Sequence, residues 1–495
     1  MTQIKRSFIF SGIDRFGTVA ITLATTALFA RLLRPDEVGV YLLGASIVQI
    51  ATGLREFGAT AFIIQDKTLS REGLRTIFTV MLCLSVVLTT GLIAASNPIA
   101  AFYAEPRIEP VLKITSLGML LACFGSAPVA LMQRELAFAS VATVNLAGAL
   151  TNLLAACLLY GLGQGYLCLA WGSLASMVAM VLVTLLLRPE FWIFRPCTKE
   201  WRRVLCFATY SSATALLGNT ISMLPQFIIG RAFGFVAVGV YSRASMLCQL
   251  PDRVVFSAFT PVLLPALSAR IRAGGDIKQD YLRAIAFISA IQFPVLTCMI
   301  LLADPLVLLF LGPQWGSAVP LVRILSLASL VLFPVALTYP TLVAKGRIRD
   351  TFLISLFGLA CSLPLMLLAA RVSLVAVAAT TCVTSPAQLG LTLWLIRRCV
   401  PFSWSEFFSV LGSGIGVTCF AALPPAAILT FHGTALGELA GALAALGSAA
   451  GWLLGLKMLA HPLLSYMLGL AAFLLPMRKR APAVVAASLP LNKIF

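Results

Sequence analysis

Charged and metal-binding residues are scarce in this chain. Only 11% of its 495 residues are Asp, Glu, Lys or Arg, roughly half the proportion found in soluble domains. Histidine occurs only at His432 and His461, and no pair among the 12 cysteines has metal-ligand spacing. The G-x-x-x-x-G-K-[ST] phosphate loop is absent, which argues against ATP hydrolysis by that route. We therefore expect no metal, no cofactor and no soluble fold.

Apolar residues make up 60% of the chain, and its mean hydropathy is +0.98. This composition predicts an all-α polytopic membrane protein, because only long apolar helices hide their backbone polar groups from lipid. Apolar runs predict spans near 8–30, 38–64, 76–95, 111–131, 139–160, 166–187, 206–229, 236–268, 284–311, 317–344, 351–370, 373–396, 407–430 and 436–456. The run at 458–476 fits either a short span or an interfacial segment.

Lysine and arginine concentrate in alternate loops, with the longest such loop at 188–203. By the positive-inside rule, this asymmetry predicts that both termini lie in the cytoplasm. The net charge of +18 then follows from loops that face anionic lipid, so nucleic-acid binding is not needed to explain it.

A sequence repeat at an offset of 200 residues organises the chain. Arg31–Tyr41 reads R-L-L-R-P-D-E-V-G-V-Y, and Arg231–Tyr241 reads R-A-F-G-F-V-A-V-G-V-Y. Six predicted spans separate the copies, so both halves keep the same orientation, as in transporters built from parallel repeats. We predict two six-helix lobes, 1–195 and 196–400, followed at 401–495 by two further spans and a basic cytoplasmic tail.

The first span of each half carries a polar stripe at helical spacing. In the first half its members are Ser11, Arg15, Thr18 and Thr22; in the second they are Ser211, Asn219, Ser222 and Gln226. Such residues either face a polar cavity or bond their own backbone and neighbouring helices, and the stripe fits both interpretations.

The second span of each half carries an adjacent acid and base, Arg55-Glu56 in one and Asp252-Arg253 in the other. Arg243 lies earlier on the same helix as Arg253. Intramembrane arginines suit a phosphate or carboxylate ligand, although interhelical ion pairing and snorkelling remain alternatives. Carboxylates available for proton or sodium coupling are Asp14, Glu56, Asp252 and Asp304, for which a structural ion-pair role is equally open.

Longer motifs resemble a known family. A-R-L-L-R-P-D-E-V-G-V-Y, L-R-E-F-G-A-T-A-F-I-I-Q and A-L-M-Q-R-E-L-A-F resemble the N-terminal half of Wzx-type polysaccharide repeat-unit flippases, and I-I-G-R-A-F-G-F-V-A-V-G-V-Y-S-R-A and F-L-G-P-Q-W-G-S-A-V-P-L resemble their C-terminal half. These flippases belong to the multidrug/oligosaccharidyl-lipid/polysaccharide exporter (MOP, MATE-like) superfamily.

The resemblance implies a V-shaped two-lobed bundle in a bacterial inner (cell) membrane. It would move undecaprenyl-diphosphate-linked oligosaccharide from the cytoplasmic to the periplasmic leaflet through a cationic cavity, by alternating access. Membrane lipids surround such a protein, and polysaccharide polymerase and chain-length proteins are candidate partners. Cavity positions are expected at Arg15, Thr22, Arg55, Asn219, Gln226, Arg243 and Arg253.

Three other classes remain as alternatives. A MATE-type ion-coupled exporter of small molecules shares the fold but favours an acidic cavity. A major-facilitator symporter requires a basic G-x-x-x-D-[RK]-x-G-[RK] loop, where this chain has Q-D-K-T-L-S-R-E-G-L-R. A membrane-embedded glycan polymerase or ligase usually needs a large extracytoplasmic loop with catalytic residues. All outer loops predicted here are short, so a transporter is expected rather than an enzyme.

Overall fold

A computed structural model of the chain describes residues 2–56, 59–65, 70–199, 201–272, 277–338, 341–342, 345, 347–432 and 438–474. Within these ranges the regular structure is entirely helical. Long apolar runs satisfy their backbone hydrogen bonds internally as helices, and at 1.5 Å per residue about 20 residues cross a hydrocarbon core roughly 30 Å thick.

The first half of the chain forms helices α1 (Thr2–Leu32), α2 (Pro35–Glu56), α3 (Ala59–Gln65), α4 (Arg71–Phe102), α5 (Ile108–Arg134), α6 (Phe138–Gly161) and α7 (Leu167–Leu187). Local signals set several helix starts. Pro35 occupies the first position of α2, with two acids in the first turn. Ser70 caps α4, because its hydroxyl accepts a hydrogen bond of 2.8 Å from the Gly73 amide.

The second half forms α8 (Trp201–Phe233), α9 (Phe235–Arg272), α10 (Lys278–Leu301), α11 (Ala303–Phe310), α12 (Val319–Leu332), α13 (Ile348–Ala369) and α14 (Leu374–Arg397). The C-terminal portion adds α15 (Trp404–His432), α16 (Glu438–Met458) and α17 (Pro462–Leu474). With its 13 residues, α17 is about 20 Å long, shorter than the hydrocarbon core.

Three predicted spans are divided in the structure. The run 38–64 contains α2 and α3, and the run 284–311 contains α10 and α11. The run 317–344 contains α12, which lies between 3-10 turns at Pro313–Ala318 and Phe333–Leu337. Asp304 and Pro305 explain one division, since an acid and a proline in the first turn favour a new helix start at α11.

Eleven helices in the described part of the chain are long and apolar enough to cross a membrane. Helices α1, α8 and α9 are not among these eleven, although each has more than 30 residues. They carry the polar stripes, the second repeat motif and the Asp252-Arg253 pair. Most of the functional candidates therefore lie on these three helices, while Arg55 and Glu56 lie on α2.

The chain divides into two compact units. Unit 1 comprises Met1–Arg243 with Leu363–Val377, and unit 2 comprises Ala244–Ser362 with Ala378–Phe495. This division falls inside α9, whereas the repeat-based segments 1–195, 196–400 and 401–495 stay a prediction.

The core of unit 1 includes Phe78, Phe124 and Phe194, whose ring centroids are 5.0–5.6 Å apart. Phe194 belongs to a 3-10 turn in the loop 188–203, so this loop packs into unit 1. The core of unit 2 includes Tyr281 and Phe402, whose rings stack.

Candidate functional site

The two repeat motifs contact each other in unit 1. Pro35–Tyr41 begins α2 and Phe235–Tyr241 begins α9. A Cβ atom at Gly39 would lie 1.9 Å from the Phe235 carbonyl oxygen, and one at Gly239 would lie 2.3 Å from the Pro35 carbonyl oxygen. Each contact is the other one transposed by 200 residues, which is the pattern of a self-complementary two-fold interface. We call these four residues the glycine crossing; its backbones approach closely because neither glycine has a side chain.

Aromatic and charged side chains pack around the glycine crossing. The Arg231 guanidinium lies 5.5 Å from the centre of the Phe102 ring, a cation–π distance. The Tyr103 and Phe235 rings meet edge to face, with centroids 6.4 Å apart. Residues at the end of α4 therefore pack against residues from the second repeat motif.

An ion-pair network fixes the start of α2. Arg107, which precedes α5, bonds Glu105 at 2.8 Å and Asp36 at 3.1 Å. The hydrogen bonds from Arg107 hold the pKa of the Glu105 carboxyl below its usual value, and the bonds to Glu105 and then Asp36 raise the pKa of Arg107. The start of α2 is thereby tied to the α4–α5 loop.

Helices α2 and α8 make polar contacts beyond the glycine crossing. The Ser46 hydroxyl donates to the Gln226 amide oxygen, and the Asn219 amide nitrogen would lie 2.8 Å from a Cβ at Gly53. Two predicted cavity residues, Asn219 and Gln226, thus contact α2. Ser222 on the same helix is exposed, and its hydroxyl donates to the Asn219 carbonyl at 2.8 Å.

The stripe on α1 is partly exposed. Arg15 and Thr22 are exposed, while Asp14 and Thr18 are half-buried. The Asp14 carboxylate accepts hydrogen bonds of 3.1 and 3.2 Å from the amide of Asn145 on α6. The side chains of Ser11 and Ser211 lie outside the described residues.

Arg55 is buried, with 2% of its surface exposed. Its guanidinium donates to the Met119 carbonyl on α5 at 2.9 Å and pairs with the exposed Glu56 at 3.3 Å. Arg243 is also buried and lies close to Tyr41. In this conformation both arginines are enclosed by protein, whereas Arg15 and Arg253 are exposed.

Unit 2 holds a separate polar cluster in α9, α10 and α12. The Gln292 amide donates to the Asp252 carboxylate, and one turn earlier the Cys248 thiol lies 3.3 Å from the Ser326 hydroxyl. Elsewhere in the unit, Asp304 pairs with Arg323. An apolar pocket lies between α10, α12 and α15, lined by Phe293, Thr297, Leu330, Ile415, Thr418, Cys419 and Ala422. It carries no charged side chain and suits hydrocarbon.

Sequence reasoning missed three partners, namely Ser46, Asn145 and Gln292. Each is a polar residue within an apolar run, and that placement is the only signal the sequence offers for it. The Met119 carbonyl that binds Arg55 has no sequence signal, because any residue supplies one.

Residues 28–320, more than half of the chain, match the model of a family described as Polysaccharide biosynthesis protein. The chain is 24% identical over 352 residues to the Succinoglycan biosynthesis transport protein ExoT of Rhizobium meliloti (strain 1021), covering 70% of each chain. It is 22% identical over 345 residues to the Lipopolysaccharide biosynthesis protein WzxC of Escherichia coli (strain K12), covering 68% of this chain and 69% of the relative.

Solved structures share the fold. The Lipid II flippase MurJ in an inward closed conformation aligns with a TM-score of 0.73 and 12% identity, over 92% of this chain and 100% of that one. An inward-facing multidrug resistance MATE family transporter of the MOP superfamily aligns with a TM-score of 0.64 and 17% identity, over 78% of this chain and 94% of that one. These alignments confirm the predicted all-α polytopic membrane fold of the MATE-like type.

Proposed function

The chain belongs to the polysaccharide biosynthesis protein family, and from that membership we propose that it flips undecaprenyl-diphosphate-linked oligosaccharide repeat units across a bacterial inner membrane. The units would move from the cytoplasmic to the periplasmic leaflet, for assembly of surface polysaccharide. The observation that carries the proposal is the family match over 28–320 on a fold shared with a lipid II flippase. Relatives named for succinoglycan transport and lipopolysaccharide biosynthesis support it.

A polar path is what this transport requires. A diphosphate and its sugars cannot cross hydrocarbon unaided, because each unpaired charge there costs several kcal/mol or more. Arg15 and Arg253 are exposed and suit the diphosphate, and the hydroxyls of Thr22 and Ser222 are exposed and suit sugars. The polyprenyl tail would remain in lipid or occupy an apolar surface such as the pocket beside α15.

Alternating access supplies the mechanism. We propose that the segments 1–195 and 196–400 act as the moving lobes, with both termini in the cytoplasm. The glycine crossing would then lie at the periplasmic end and close it, so the substrate would enter from the cytoplasm. Release requires the repeat motifs to separate at Gly39 and Gly239, and the same movement would expose Arg243, which lies close to Tyr41.

Small-molecule export is the alternative that the shared fold favours, since a MATE transporter aligns over 78% of this chain. The two functions differ in the charge of the substrate. Exposed arginines at 15 and 253 favour an anionic head group over the cations that an acidic cavity would bind.

Reconstitution tests the proposal. Purified protein in liposomes would receive undecaprenyl-diphosphate carrying a fluorescently tagged oligosaccharide, and an impermeant quencher would report the outer-leaflet fraction. We expect the quenched fraction to exceed that of protein-free liposomes. Equal quenching in both preparations, from protein that remains folded by circular dichroism, would refute flipping.

A further inference from the structure

Carboxylates within the apolar helices differ in their partners. Glu56 pairs with Arg55 at 3.3 Å, and Asp304 pairs with Arg323. Each of these acids has a permanent cation beside it. Such pairs suit a structural role, because each partner offsets the charge of the other.

Asp14 and Asp252 are bonded by neutral amides instead. Both oxygens of Asp14 accept hydrogen bonds from Asn145. Asp252 accepts one from Gln292, and among the residues whose side chains the structure describes, no cation forms an ion pair with it. A carboxylate in hydrocarbon without a cation is costly to keep ionised, so it is suited to gain and lose a proton.

Gln292 distinguishes the Asp252 site from the Asp14 site. Its side chain is completely buried, and its amide oxygen has no hydrogen-bond partner among the described residues. An orphaned buried acceptor costs about 1–3 kcal/mol. An amide can rotate and present N–H to a carboxylate or C=O to the O–H of a carboxylic acid. Protonation of Asp252 would therefore give the orphaned oxygen a donor.

The site lies deep in the bundle. Gln292 is about 21 Å along α10 from Lys278 and about 14 Å from Leu301, near the middle of a hydrocarbon core of about 30 Å. Pro294 in the same helix leaves the Ala290 carbonyl without its helical donor, and the indole of Trp452 on α16 donates to that carbonyl at 2.7 Å. This bond joins α10 to α16 two residues before Gln292.

The titratable and charged groups around Asp252 are few. On α9 they are the Cys248 thiol and the exposed Arg253. On α12 the nearest charged residue is Arg323, which pairs with Asp304. On α10 the nearest charged residue along the helix is Arg283, toward the start of the helix. The side chains of α9 beyond Arg253 lie outside the described residues.

We infer that Asp252 binds and releases a proton within the bilayer, with Gln292 as its positioning partner, and that this proton drives the transport cycle. The claim that this proton drives the transport cycle rests on the proposed function, whereas the claim that Asp252 binds and releases a proton does not. One O–H bond forms at the carboxylate as water or hydronium gives up a proton, and the reverse step restores the ion. A sodium ion fits less well, because hard cations require several oxygen ligands and here an N–H group points at the carboxylate.

Charge movement after a pH step tests the site without any substrate. Full-length protein in sodium-free proteoliposomes on a solid-supported membrane should give a transient current. Asp252→Asn should diminish this current while the melting temperature stays close to that of the wild type, because Asn still accepts the Gln292 bond. Asp304→Asn is the matched control and should keep the current. Gln292→Leu should keep a current but displace its pH midpoint.

Three results would overturn the inference: an undiminished current in Asp252→Asn, an unshifted midpoint in Gln292→Leu, or a current that responds to sodium steps and not to pH steps. The liposome quenching assay separates the two proposals. Flipping without a pH-step current refutes the proton site alone, and a pH-step current without flipping refutes the proposed function alone.

Discussion

Alanine at Gly39 or Gly239 should force the repeat motifs apart. The new methyl carbon would lie 1.9 Å or 2.3 Å from a backbone carbonyl oxygen, so the helices must move by roughly 1 Å or more to reach ordinary contact. Backbone atoms cannot move aside as a flexible side chain does, and overpacking of this kind costs about 1–3 kcal/mol. Alanine returns about 1 kcal/mol through its higher helix propensity. Each substitution should therefore lower the free energy of unfolding of the closed state by up to about 2 kcal/mol.

The overpacking cost applies only while the motifs touch, whereas the gain in helix propensity is the same in both states. Alanine therefore destabilises the closed crossing relative to a separated state by about 1–3 kcal/mol, which shifts that equilibrium roughly 5- to 160-fold. The two substitutions should not be additive. Once Gly39→Ala has separated the helices, Gly239→Ala no longer meets the Pro35 carbonyl and adds little.

Thiol labelling measures the shift. A single cysteine at the buried Ser46, in a Cys-depleted background, should react faster with an impermeant reagent from the periplasmic side when Gly39→Ala is present. Gly91→Ala and Gly218→Ala are matched controls, because a Cβ at either position meets nothing within 4 Å. Labelling of Gly39→Ala at the rate of these controls would refute the view that the glycine crossing closes this end.

Further predictions concern charge and topology. Arg253→Gln should impair flipping without lowering the melting temperature, and Arg253→Lys should partly restore it; unchanged flipping in the Gln variant would contradict a substrate role. Arg55→Gln should instead destabilise the fold by about 1.5–3 kcal/mol, because it removes the charged bond to the Met119 carbonyl; a denaturant midpoint equal to that of the wild type would contradict this. The depressed pKa of Glu105 means that its bonds to Arg107 stabilise the fold above pH ~4, its ordinary pKa, and that this contribution is lost as the pH falls below that value. Arg107→Gln should therefore remove this part of the acid sensitivity of folding. A profile of stability against pH identical to that of the wild type would contradict this. A cysteine at Thr198 should resist impermeant reagents applied to intact cells, and ready labelling would reverse the assigned orientation.

Much of the fold follows from the sequence, because hydrocarbon leaves few choices. An apolar run of about 20 residues must be helical to satisfy its backbone, so most spans could be predicted from hydropathy. Hydropathy predicts one span where the structure has two helices when a helix start lies inside an apolar run, as at Asp304 and Pro305. The repeat also made Gly39 and Gly239 equivalent positions before any contact was known.

Which groups meet across the bundle depended on the tertiary structure. The sequence marked Arg55 as a candidate ligand residue, but only packing turns it toward α5, where the Met119 carbonyl accepts its hydrogen bond and any residue type would supply that carbonyl. Asp14 is hydrogen-bonded to Asn145, which is 131 residues further along the chain, and Asp252 is hydrogen-bonded to Gln292, which is 40 residues further along. The two repeat motifs contact each other although they lie 200 residues apart in the sequence. Hydropathy sets how deep a residue lies in the membrane, whereas the rotation of each helix about its axis is set by side-chain packing with its neighbours, and that rotation decides which polar groups touch.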